Sequence, residues 1–121
     1  MPRDNLLVDR IKGIGYAFRG AWFLVRTESS IQIQVVIAIV MTVAGFYFEI
    51  SQTEWILQIF AIALVLGIEG VNTAVEKMSD YIQPEFDEKI GFIKDISAGA
   101  VMLVSLAASI VGLIIYVPKI I

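Results

Sequence analysis

The 121-residue chain contains neither cysteine nor histidine. The first absence excludes a disulfide framework and any thiolate metal site. The second excludes histidine-based acid–base chemistry and the common histidine-containing zinc sites. Proton transfer therefore falls to carboxylates, lysine or tyrosine. Charged residues make up only 17% of the chain, and the net charge of −3 offers nothing to attract nucleic acid. No G-x-x-x-x-G-K-[ST] sequence is present, and Gly13, Gly15 and Gly20 do not form G-x-G-x-x-G, so the familiar phosphate-cradling loops are missing. The first 26 residues contain no long uncharged apolar core and do not read as a cleavable signal peptide.

What remains is apolar. Hydrophobic residues make up 58% of the chain, and the mean hydropathy is +0.81. A soluble domain of this length could not hide so much apolar surface. A hydrocarbon core of ~30 Å needs about 20 helical residues to cross it. Residues 29–48 and 96–118 are two uncharged stretches of that kind. Residues 55–68 and 70–75 make a third, interrupted by Glu69. A soluble buried helix is the competing reading of this middle segment, and the two flanking spans weigh against it.

The segment before the first span has another character. Leu7, Ile11, Ile14, Phe18, Trp22 and Val25 recur every three or four residues, while Arg10, Lys12, Arg19 and Arg26 fall mostly at other angles. That pattern predicts an amphipathic helix lying in the membrane interface, with Asp4 or Asn5 as its cap; a soluble helix packed on a partner is the alternative. The expected architecture is all-α, within a single domain over 1–121: an interfacial helix at about 5–27 and transmembrane helices at about 29–49, 54–80 and 95–117. Ser105/Ser109 and Ala108/Gly112 on the third span are small-residue pairs that permit close helix approach.

Basic residues orient the chain. Arg3, Arg10, Lys12, Arg19 and Arg26 precede the first span, and Lys77, Lys89 and Lys94 surround the second loop. The turn at 50–53 has no basic residue, and the tail has only Lys119. The N-terminus and the loop at 80–94 are therefore expected in the cytoplasm, with Trp55 and Tyr116 at the opposite interface.

Glu69, Asn72 and Glu76 stand out. Spacings of three and four place them on one helical face, and Asp80 continues it. Glu69 falls inside the hydrocarbon region, where a charge costs about 2.5–3.5 kcal/mol on insertion scales. Such a group faces protein or water and is a functional candidate by default, the alternative being a protonated Glu that hydrogen-bonds between helices. Glu28 precedes the first span at the level of Glu76. Two carboxylates at one level can bind a divalent cation, and Mg²⁺ typically uses one or two of them together with substrate phosphates. Lys94 and Asp95 open the third span, where an anchor and a helix cap are the plain readings.

At these residues the sequence resembles the prokaryotic diacylglycerol kinase and undecaprenol kinase family. Glu69-Gly-Val-Asn72-Thr-Ala-Val-Glu76 matches the signature E-x-x-N-[ST]-A-x-E, and the likeness extends to Asp80, Glu85, Lys94-Asp95 and Glu28. The resemblance implies a homotrimeric helical bundle in the bacterial inner membrane, with composite active sites between subunits. It implies transfer of the ATP γ-phosphate to a lipid hydroxyl with Mg²⁺. Glu69 would be the general base, supported by Asn72. Glu28 and Glu76 would hold the metal and, through it, the nucleotide. Arg10, Tyr16, Glu85, Lys94 and Asp95 would contact the nucleotide, and Trp22 and Ala98 would join Glu69 at the lipid substrate.

Proteobacterial diacylglycerol kinases have Arg where this chain has Gln32, and Tyr-His where it has Phe86-Asp87. The run at 94–101, the ending Val117-Pro-Lys119 and the pair Glu54-Trp55 look more like undecaprenol kinases. Undecaprenol is therefore the expected acceptor, with diacylglycerol as the alternative. A small proton-coupled transporter or channel would also use an intramembrane carboxylate, and so competes at a distance, as does a non-catalytic membrane scaffold. Neither calls for Glu28 or Lys94-Asp95 at the boundary.

Overall fold

A computed structural model describes residues 5–121. Four helices follow in chain order, α1 (Leu6–Thr27), α2 (Ser29–Tyr47), α3 (Gln52–Ile82) and α4 (Glu88–Ile120), with no strand among the described residues. The last three are long and apolar enough to cross a membrane. α3 is the central element, packing along α4 and more briefly along α2, while α1 touches α2 near their junction.

Each boundary has a local cause. The Asn5 side chain accepts a hydrogen bond from Val8 N (2.8 Å) and caps α1; the other expected cap, Asp4, lies outside the described residues, as does Arg3. One extended residue, Glu28, separates α1 from α2. The carbonyls left open at the end of α1 are met by Gln32, whose Nε2 donates to Val25 O and Arg26 O, both at 3.1 Å.

α2 ends in a Schellman motif: Ile50 N donates to Gly45 O (3.1 Å) and Glu49 N to Phe46 O (3.3 Å), with Glu49 left-handed at φ 51°. Ser51 then caps α3 through a reciprocal capping box with Glu54. The other carboxylate oxygen of Glu54 accepts from Lys119 Nζ at 3.0 Å, tying the start of α3 to the end of α4. Beneath this turn lie Ile50, Ile115 and Tyr116, packed against Met41, Phe48 and Trp55.

Tyr116 packs inside the bundle. It is 7% exposed, and its hydroxyl donates to Gln58 Oε1 (2.6 Å) and lies 3.2 Å from Met41 O. Gln58 Nε2 in turn donates to Met41 O at 3.0 Å. Polar groups buried in an apolar bundle need such partners, and this triad joins α2, α3 and α4.

α4 departs most from the sequence expectation. It begins seven residues before Asp95, because Asp87 Oδ1 accepts from Lys89 N and Ile90 N and is the cap. Asp95 lies two turns inside the helix and caps nothing. At the far end the helix continues through Pro118, where Ile121 N still bonds Val117 O.

Candidate active site

The polar face of α3 emerges at the end of the bundle where the α1–α2 junction and the α3–α4 loop meet it. Glu69 is 8% exposed, and its carboxylate makes no hydrogen bond or ion pair with another described residue. One turn on, buried Thr73 turns its hydroxyl back onto the Glu69 carbonyl at 3.1 Å. Its hydrogen-bonding capacity is thus used on its own helix and leaves the Glu69 side chain free.

Asn72 is half-buried. Its Nδ2 donates to Glu76 Oε1 at 3.3 Å, which orients the Glu76 carboxylate. Its Oδ1 is buried without a hydrogen-bond partner among the described residues, a condition explained by strain, a catalytic role, or a bound water or ion. Glu76 itself is exposed. Seven residues of helix set Glu69 and Glu76 apart by ~10 Å along the axis.

The Glu28 carboxylate reaches α3 from the α1–α2 junction, with Oε1 3.5 Å from Lys77 Nζ. This brings Glu28 to the turn of α3 that carries Glu76. Gly70 allows α1 to come close: a β-carbon there would lie 3.1 Å from Leu24 Cδ1. Lys94 extends from α4 to pair with Asp80, placing it beside the next turn of the same face. Sequence spacing put Glu69, Asn72, Glu76 and Asp80 on one face, and the fold adds Glu28 and Lys94.

The other expected site residues make no hydrogen bond or ion pair with this cluster among the described residues. Arg10, Tyr16 and Trp22 are exposed along α1, with Arg19 stacked on the Tyr16 ring at 5.5 Å. Glu85, Asp95 and Ala98 are exposed on the α3–α4 loop and α4. Sequence reasoning missed Lys77, which it took only as a basic residue near a loop. It also missed the capping role of Gln32 and the buried amide of Gln58; an amide within an otherwise apolar span was the available signal for Gln58.

No group of three or more acidic side chains among the described residues could hold a metal by itself. The donors present are the carboxylates of Glu28 and Glu76 and the unsatisfied amide oxygen of Asn72. All are hard oxygens and too few for a protein-only cage, which fits a Mg²⁺ ion that arrives with phosphates.

Residues 15–116 match the family described as prokaryotic diacylglycerol kinase. The chain is 33% identical over 108 residues to the undecaprenol kinase of Bacillus subtilis (strain 168), covering 89% of this chain and 88% of that one. It is 28% identical over 103 residues to the diacylglycerol kinase of Escherichia coli (strain K12), covering 83% and 82%. Against the diacylglycerol kinase of Haemophilus influenzae it is 28% identical over 114 residues, 94% of both chains. With three membrane-crossing helices and a match over most of its length, the chain is a multi-pass membrane lipid kinase that uses ATP and belongs to the prokaryotic diacylglycerol kinase family.

Proposed function

We propose that this kinase phosphorylates undecaprenol at the cytoplasmic face of the bacterial inner membrane, as a homotrimer with composite sites. The observation that carries the assignment of the base is Glu69, a residue only 8% exposed whose carboxylate has no partner among the described residues, on the face of α3 that leads to Asn72 and Glu76. A lipid alcohol keeps its hydroxyl near the interface, so the group that accepts its proton must sit at membrane depth. In the reaction the lipid oxygen attacks the γ-phosphorus, the bond to ADP breaks, and the hydroxyl proton passes to Glu69. Asn72 orients Glu76. Glu28 and Glu76 would hold Mg²⁺, which would supply charge neutralisation along the phosphates when bound. Lys94 supplies a positive charge toward the nucleotide, and Arg10, Tyr16, Glu85 and Asp95 complete the nucleotide contacts. Trp22 and Ala98 flank the lipid. Phosphoryl transfer depends mostly on such positioning and charge stabilisation.

The acceptor is argued from likeness: the identity to an undecaprenol kinase is 33%, against 28% to diacylglycerol kinases. The run at 94–101 and the ending at 117–119 favour the same acceptor. Radiolabelled ATP offered with undecaprenol and with diacylglycerol, in parallel mixed micelles, tests the reading. Preferential labelling of undecaprenol is expected. Preferential labelling of diacylglycerol would reassign the acceptor while keeping the chemistry.

A further inference from the structure

Lys77 follows Glu76 directly, so its side chain leaves α3 ~100° around the axis from the Glu76 carboxylate. That direction points to the α1–α2 junction, where Nζ lies 3.5 Å from Glu28 Oε1 and 5.3 Å from the centre of the Phe23 ring. Glu28 is the single extended residue between two helices, and its side chain caps neither. The ion pair with Lys77 is its only polar side-chain contact among the described residues. The lysine therefore clips both the last turn of α1 and the Glu28 carboxylate onto α3.

The side chains of Lys77 and Glu28 are 56% and 26% exposed, so the pair contributes little to folding. Its importance lies in the charge it brings to this place. Lys94 is engaged by Asp80, and among the described residues the side-chain partner of Glu76 is the neutral Asn72 amide. Among the same residues, Lys77 is the cation paired with Glu28 before any ligand arrives.

We infer that Lys77 is a positioning residue of the active site, an internal cation that holds Glu28 on α3 in the nucleotide-free enzyme and disfavours binding of a divalent ion alone. The inference rests on the reading of Glu28 and Glu76 as metal-holding residues. Its consequence is a pair of effects with opposite signs. A bare divalent cation is repelled by the Lys77 charge, whereas Mg·ATP, which is net negative, is attracted by it. Lys77 thereby couples entry of the metal to entry of the nucleotide. A residue that only braced the fold would weaken both ligands or neither.

Lys77→Met keeps an unbranched stem over Phe23 and removes the charge, and Lys77→Arg keeps the charge. The full-length chain in detergent micelles is titrated with Mn²⁺ without nucleotide, bound metal being read from the loss of the free-ion paramagnetic resonance signal. KM and kcat for Mg·ATP are measured alongside. A unit charge ~6 Å from a divalent ion in a largely hydrated site is worth roughly a three- to tenfold change in affinity. Lys77→Met should bind Mn²⁺ more tightly by about that factor and raise KM for Mg·ATP by a similar one, with kcat changed less. Lys77→Arg should resemble wild type in both. Unchanged or weakened Mn²⁺ binding in Lys77→Met overturns the inference. Glu28→Gln and Glu76→Gln separate the role of Lys77 from that of the metal-holding carboxylates. If both weaken Mn²⁺ binding while Lys77→Met leaves it alone, only the role of Lys77 falls. If neither affects it, the metal reading fails and the inference falls with it.

Discussion

A carboxylate on a residue only 8% exposed, with no partner among the described residues, is costly in an apolar helix, so Glu69 needs a reason to be there. The proposed role in catalysis supplies that reason and makes a sharp prediction. Glu69→Gln keeps the shape of the side chain and removes the basic oxygen. Turnover with saturating lipid should fall by about 10²–10⁴-fold, the usual contribution of a general base. Binding of a non-hydrolysable ATP analogue should persist, because Glu69 lies ~10 Å below Glu76 along α3. The melting temperature should hold or rise. Turnover within a few-fold of wild type would make Glu69 structural, and joint loss of turnover and ATP binding would move it into the nucleotide site. At this scale the sequence was legible wherever one helix decides the geometry. Glu69, Asn72 and Glu76 share a face because 3.6 residues make a turn. Lys77 and Gln32 were not legible, because their partners, Glu28 and the last carbonyls of α1, lie across a helix junction whose angle no local rule fixes.

The helices themselves were legible as apolar runs, but their ends obey other rules. Hydropathy marks where a span leaves the hydrocarbon, while caps mark where a helix stops. The two coincide at Ser51, whose capping box with Glu54 stands at the edge of the apolar run. They separate at α4, where Asp87 caps a helix that runs two turns before the uncharged stretch begins. Those two turns carry Lys94 to Asp80, so the extension serves the site. The α2–α3 turn shows the opposite case, a local conflict left in place. Its left-handed residue is Glu49 rather than glycine, at a cost of roughly 1–2 kcal/mol. Glu49→Gly should therefore stabilise the protein by about 1 kcal/mol, seen as a higher midpoint in detergent-mediated unfolding. Gly45 cannot be changed in the same spirit. A β-carbon there would lie 2.6 and 2.8 Å from ring atoms of Trp55, and that ring is packed beside Phe46 at 4.9 Å. Gly45→Ala should destabilise by about 1–3 kcal/mol, the usual penalty for overpacking. If Gly45→Ala were neutral, the close approach of α2 and α3 at Trp55 would be wrong.

Across the whole molecule the governing asymmetry is electrical. Arg10, Lys12, Arg19, Arg26, Lys77, Lys89 and Lys94 fall on α1 or near the α3–α4 loop. The opposite end has only Lys119, and the structure shows that charge already engaged by Glu54 at 3.0 Å. The contrast is thus stronger than a count of residues suggests, since the Lys119 ammonium is largely compensated where it stands. The positive-inside rule predicts that the α3–α4 loop and the N-terminus face the cytoplasm, the side on which ATP is available. Three spans would then leave the α2–α3 turn and the C-terminus outside. The absence of cysteine makes this directly measurable, because any cysteine introduced is the only thiol in the chain. Gln52→Cys sits on the exposed first turn of α3, and Phe86→Cys replaces a side chain 90% exposed in the α3–α4 loop. Neither position takes part in a cap or an ion pair. In intact spheroplasts a membrane-impermeant maleimide should label Gln52→Cys and spare Phe86→Cys. After permeabilisation both should react. Labelling of Phe86→Cys in sealed spheroplasts would reverse the orientation and put the Glu28–Glu76–Lys94 end on the side without ATP, which the proposed kinase mechanism could not survive.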